Sequence, residues 1–196
     1  MKQHISSLCC TTFPALRRIT SVHPFLSNSS TEKLVASVIT SRLDYCNATF
    51  AGVSDEQITC IQKIQNNAAQ LILKKSKRDH VTPLLKELHW FPVKYRIQYK
   101  LATLAFRHSD GTLPPYLSSS LCTYQSSRSL RSSTQRRLKT PKTNLKIFGE
   151  RSFGYIAPTV WNLLPANLRA SPSLPAFKAN LKTYLFRQAF GLICTC

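Results

Sequence analysis

KRDHVTPLLKELHWFPVKYRIQYK, residues 77 to 100, decides how the rest of the chain is read. Thr82-Pro83 and Phe91-Pro92 each put a proline in the first turn of a helix, where its missing amide costs nothing. The second start opens a helix whose Val93, Ile97, Leu101 and Leu104 recur at the 3.6-residue period of one buried face. Gly111 and Pro114-Pro115 end it. The stretch therefore reads as a basic helical module with Trp90 as its anchor.

Upstream, Ser54 with Gln57 makes a capping-box signal for a further helix. Its Ile58, Ile61, Ile64, Ala68, Leu71 and Ile72 fall three or four apart, while Gln62, Lys63, Asn66 and Asn67 face away. The basic run Lys74-Lys75-Ser76-Lys77-Arg78 ends this helix. Earlier still, Ser29 with Glu32 reads as another capping box, opening a helix striped by Leu34, Val35, Val38, Ile39 and Leu43. Residues 1 to 28 read as a helix interrupted at Pro14, then a turn at His23-Pro24.

Downstream the character changes. From residue 118 to 147, Ser, Thr, Arg and Lys dominate and no period survives, so the segment reads as a mobile basic arm. Leu138 to Ile147 alternates weakly, which suggests one short β-hairpin with residues 151 to 157. Packing is expected to resume with Phe148, Phe153, Tyr155, Trp161 and Leu164. A last helix carries Leu174, Phe177, Leu181, Tyr184 and Leu185 on one face, with Ser173 as its cap and Gly191 as its stop. The fold class expected is mainly α: a helical region at 1–117, the arm at 118–147, a helical segment at 148–190 packing back on the core, and a tail at 191–196.

Composition bounds the function. A net charge of +19 arises from 27 Lys and Arg against 8 Asp and Glu. Such a bias predicts attraction to a polyanion, and nucleic acid is the partner whose phosphates supply most non-specific binding energy. A membrane partner is not expected, since no run approaches the roughly 18 apolar residues a spanning helix needs. The N-terminus is too polar for a secretory signal, so an intracellular protein of nucleus or cytoplasm is expected rather than a secreted one. The 7 cysteines show no paired CxxC arrangement and read as free thiols. Cys194 and Cys196 lack a histidine close by and do not make a zinc site.

Catalytic signatures are missing from the sequence. Two-metal polymerase chemistry needs neighbouring carboxylates. Asp44, Asp55, Asp79 and Asp110 are scattered, and Asp55-Glu56 suits the first turn of a helix. Cys46 has no nearby histidine to activate it. His80 and His89 are nine apart and give no metal signature, and scattered glycines make no phosphate cradle. The chain is therefore expected to be no enzyme and to need no cofactor.

Binding has residues to rest on. Lys74, Lys75, Lys77 and Arg78 form one cluster, which Lys94, Arg96, Lys100 and Arg107 extend along the next helix. Arg128, Arg131, Arg136, Arg137, Lys139, Lys142 and Lys146 form a second, in the arm. Taken singly each reads as a solvated side chain, but the scarcity of acids reverses that reading for the set. Tyr95, Tyr99, Tyr116 and Tyr124 are interleaved with them; a base stacked on any one gains roughly 1–3 kcal/mol. Tyr95 and Tyr99 equally suit core packing, while Trp90 and Trp161 read as core plugs.

Several segments in one order carry a resemblance. They are FLSNSSTEKLVASVITSRLDYCN at 25–47, IQKIQNNAAQLI at 61–72, the opening stretch at 77–100, and SRSLRSS at 127–133. FGERSFGYIAPTVWNLLP at 148–165 and SPSLPAFKANLKTYLFRQAF at 171–190 complete the set. Together they resemble the C-terminal, post-palm region of reverse transcriptases from LINE-type non-LTR retrotransposons of the jockey and chicken-repeat kind. The resemblance implies thumb-like helices that grip template RNA and primer–template duplex, partnered by the rest of the polymerase. It carries over no catalytic residue. It also implies an origin as a fragment, which leaves two alternatives: a truncated relic with no selected function, or a helical interaction domain exposing the face that once packed on the palm.

Overall fold

The structure, a computed structural model, describes residues 1–125, 136–145 and 148–191. The described chain is mainly helical. The described residues form two compact units, one built from Met1–Arg96 with residues 189–191, the other from Ile97–Gln188.

In the first unit, α1 (Lys2–Val22) packs against α4 (Asp55–Ile72). The expected interruption at Pro14 does not occur: α1 runs through it. Proline removes the hydrogen bond to the Cys10 carbonyl, but Pro14 and Cys10 both lie on the exposed side, where water can satisfy that oxygen. The inner side of α1 buries Ile5, Leu16 and Ile19, together with Thr12, whose hydroxyl donates to the Leu8 carbonyl at 2.6 Å.

α2 (Asn28–Val35) is capped by Ser27, whose Oγ accepts from Ser30 N at 3.1 Å, rather than by Ser29. A wide π turn at Ala36–Thr40 leads into α3 (Ser41–Asp44). The expected stripe survives it, with Val35, Ile39 and Leu43 all buried. Ser54 does precede α4, but its side chain makes no capping bond; its carbonyl takes Gln57 N and Ile58 N instead. α4 stops at a Schellman turn in which Lys74 adopts φ +52° and Lys75 N donates to Gln70 O at 2.9 Å.

α5 (Val81–Glu87) ends the same way, with His89 at φ +53° and Trp90 N donating to Leu85 O at 2.8 Å. Leu84 and Leu85 meet Ala69 of α4, and Trp90, Leu88 and Phe190 pack around that contact. α6 (Val93–Ser109) follows Pro92. Proline offers no side-chain acceptor for the first free amide, so a distant residue supplies it: Gln62 Oε1 accepts from Val93 N at 2.8 Å.

The second unit takes α6 from Ile97 onward. Gly111 at φ +70° closes that helix, with Thr112 N donating to Arg107 O at 2.9 Å. Then come α7 (Pro115–Ser118), α8 (Phe153–Asn162), α9 (Ala166–Arg169) and α10 (Leu174–Phe190), whose last two residues belong to the first unit. Phe106, Trp161 and Phe177 make the aromatic centre, with Phe106 and Phe177 stacked at 4.5 Å between centroids. All three are at most 1% exposed, and such pairs add about 0.5–1.5 kcal/mol beyond their burial. Gly154 lets α8 approach the Ser120 backbone; a Cβ there would stand 2.8 Å from the Ser120 carbonyl oxygen.

Among the described residues the hairpin expected between 138–147 and 151–157 is not formed; residues 146 and 147 lie outside them. Residues from Phe153 are helical, because Ala157 and Trp161, four apart, are buried together on one helix face. Leu138 pairs instead with Thr123 in a single antiparallel bridge. Phe148, expected in the core, is 78% exposed. The flanks of the expected arm are fastened down: Leu121 and Leu138 are buried, and Trp161 Nε1 donates to Arg136 O at 2.6 Å. The last helix matches expectation, with Phe177, Leu181 and Leu185 buried, Ser173 Oγ facing Ala176 N at 3.4 Å, and Gly191 at φ +65°.

Candidate nucleic-acid interface

The basic residues separate into those that hold the fold and those that stand in solvent. Arg96 belongs to the first kind. Its Nη1 donates to both carboxylate oxygens of Asp44, at 2.9 and 2.7 Å, and its Nε donates to Phe91 O at 3.2 Å. Its guanidinium also lies 5.9 Å from the centroid of Trp90, within cation–π range. These contacts join α3 to the start of α6 in the first unit and occupy the guanidinium before any phosphate arrives. Arg107 is half-buried, and its Nε has no hydrogen-bond partner among the described residues.

Lys74, Lys75, Lys77 and Arg78 are all exposed, as are Lys94 and Lys100 on α6. The turn after α4 is built rather than loose. Asp79 Oδ2 accepts from Ser76 N at 2.7 Å, Asp79 N donates to Ser76 O, and Arg78 N reaches Ser76 Oγ. Gln70 Nε2 anchors the turn to α4 through Asp79 O at 3.3 Å. The acid in this run is thus spent on turn geometry, and the lysines project without a carboxylate spread among them.

In the second unit, the Thr123–Leu138 bridge sets Tyr124 beside Arg137 and Lys139. Tyr124 N donates to Arg137 O at 2.9 Å and Lys139 N to Cys122 O at 2.8 Å. These three side chains and Thr140, Leu138 and Asn162 line a shallow cavity of about 400 Å³. Tyr124 is 48% exposed, so its ring is open to a stacking partner. Arg169, nearby in charge terms, is buried and donates from Nε to Leu164 O at 3.1 Å. Burial, and then the charge of Arg137, lower its proton affinity from the ordinary arginine value. Arg136, Arg137, Lys139 and Lys142 are exposed, whereas Arg128, Arg131 and Lys146 lie outside the described residues.

The aromatic candidates sort by burial. Tyr116 is 74% exposed, Tyr95 and Tyr99 are half-buried, and burial raises the Tyr99 hydroxyl pKa above its usual value. Trp161 is fully buried and Trp90 half-buried against the Leu84–Leu85 cluster, as core plugs should be.

Sequence reasoning missed the buried amides. Gln65 is 1% exposed and donates from Nε2 to Phe91 O at 2.7 Å. Gln62, expected to face away, orients toward Gln65 and Asn66 and caps Val93. A signal was present: Gln65 stands four after Ile61 and three before Ala68, inside the apolar stripe. Asn162 and Arg17 were missed too, and nothing in their local sequence marks them.

Among the described residues no three His, Cys, Asp or Glu side chains converge as a metal site requires. Among them, too, no helix is long and apolar enough to cross a membrane. No protein-family model matches the chain, and neither a curated protein nor a solved structure does.

Proposed function

We propose that this chain is a non-catalytic, nucleic-acid-gripping segment of reverse-transcriptase-like origin, binding RNA or a primer–template duplex. The resemblance set out above supplies the origin. The observation that carries the binding is Tyr124 open to solvent at one cavity with the exposed cations Arg137 and Lys139, on a bridge that fixes the backbone of all three. Cations neutralise phosphates while an aromatic ring stacks on an unpaired base, and the two together are the usual means of single-strand binding. The exposed lysines after α4 add a second stretch of positive potential.

Anisotropy of labelled single-stranded and structured RNA, measured across a salt series beside helical circular dichroism, tests this reading. Engagement of five phosphates on a single strand gives a log–log slope of roughly −3.5. A folded chain that ignores RNA at low salt would overturn it. A second reading, a helical protein-docking domain, draws on apolar side chains left in solvent within each unit: Phe25, 87% exposed, in the first, and Phe148 and Leu163, 78% and 76% exposed, in the second. Self-association without RNA affinity would favour that reading.

A further inference from the structure

We propose that the cleft between α1 and α4 receives one unpaired nucleotide of a polynucleotide strand, with its base over the apolar floor and its phosphates on the basic rim. This rests on the nucleic-acid reading above and assigns it a site with a defined occupant. The cleft measures about 530 Å³ and is lined by residues of the first unit alone. That volume falls within the range of pockets that hold small organic groups.

Its lining divides by chemistry. Phe13, Leu16 and Leu71 form an apolar floor, and Asn67 and Gln70 place amides on the α4 wall. Arg17 from α1 and Lys75 and Lys77 from the turn after α4 form the rim, and no Asp or Glu takes part. All three cations are exposed, so their charge reaches the cleft mouth. The two lysines arrive there through a constructed path. Lys74 turns into the left-handed region, Lys75 N bonds to Gln70 O, and Asp79 locks the following residues through Ser76.

An inorganic phosphate would use the rim and leave the floor wet. A fatty anion would use the floor and rim but give nothing to the exposed Asn67 amide; Gln70 Nε2 is already held by Asp79 O. A nucleotide uses all three, since its base has a flat apolar face for Phe13 and a polar edge for Asn67. A base paired within a duplex cannot enter, so the cleft selects unstacked, single-stranded segments.

The test compares binding of the full chain to a labelled uridine dodecamer with binding to an abasic ribose-phosphate dodecamer of equal charge, at one salt concentration. The uridine strand is expected to bind about tenfold more tightly. That difference should vanish in Phe13→Ala, and also in Asn67→Leu, an exposed position where folding is retained. Arg17→Glu should weaken both strands alike. A 4-thiouridine strand should cross-link to the peptides holding Phe13 or Leu71. Equal binding of the two strands, or cross-links confined to the second unit, would overturn the cleft assignment and leave general RNA binding standing. Absence of binding by either strand would overturn both.

Discussion

Asn162 closes both peptide groups of Leu138: its Nδ2 donates to Leu138 O at 2.8 Å, and its Oδ1 accepts from Leu138 N at 3.1 Å. One side chain at the end of α8 thereby completes the edge that Thr123 leaves open, and Trp161 Nε1 holds the neighbouring Arg136 carbonyl. The platform bearing Tyr124, Arg137 and Lys139 depends on that clamp. Asn162→Ala is expected to destabilise the second unit by about 1–3 kcal/mol, since two backbone groups lose their partner. Asn162→Asp should cost more, because a carboxylate oxygen would then face the Leu138 carbonyl. Urea denaturation checks the magnitude, and faster amide exchange at Leu138 checks the location.

Arg96→Ala should lower stability by about 1–3 kcal/mol, as it removes the Asp44 pair and a bond to the Phe91 carbonyl. Asp44→Asn should cost less, because Asp44 is the more exposed partner, at 43% against 15%. Lysine at position 96 keeps the charge without the planar fork, and should recover only part of the loss. Thermal melts of the three variants rank them; a larger loss in Asp44→Asn than in Arg96→Ala would contradict this account.

His108 gives a pH dependence of known sign. Burial lowers its pKa below 6.5, and its Nδ1 lies 2.8 Å from Ser118 Oγ. The unfolded chain therefore binds the proton more readily than the folded one. Its contribution to stability is present above pH 6.5 and is lost as pH falls through the depressed folded value. Melting temperature should decline on acidification over that interval, and His108→Gln should flatten the decline.

Cys9 should be the slow thiol. Burial raises its pKa, and Cys60 and Cys10 push it the same way. At a pH where the exposed Cys46 and Cys122 alkylate readily, Cys9 should lag, and its labelling should accelerate only at higher pH. Peptide mass spectrometry after timed iodoacetamide treatment reads this directly.

Gly154→Ala should be harmful although alanine favours helices. The added Cβ would meet the Ser120 carbonyl oxygen at 2.8 Å, and a backbone atom cannot swing aside as a side-chain tip can. A loss of about 1–3 kcal/mol on urea denaturation is expected; a gain would show that Ser120 is free to move.

Much of this protein is determined by sequence alone, for reasons local to each element. The spacing of Ile61, Ile64, Ala68 and Ile72 makes α4 amphipathic, and prolines 83 and 92 start helices within a residue or two of where they stand. The cap at Ser173, the stop at Gly191 and the excess of cations also follow from residue chemistry within a single turn. What lay beyond that reach was decided by tertiary contact. Pro14 is tolerated because its face is open to water, and residues 153–162 are helical because Trp161 needs an aromatic core that the rest of the second unit supplies. Gln62, Gln65 and Asn162 satisfy backbone groups 24 to 31 residues away, partners that no local pattern names. The clefts share that origin: Arg17 joins Lys75 and Lys77 only because α1 lies on α4, and charge count alone cannot state which cations converge.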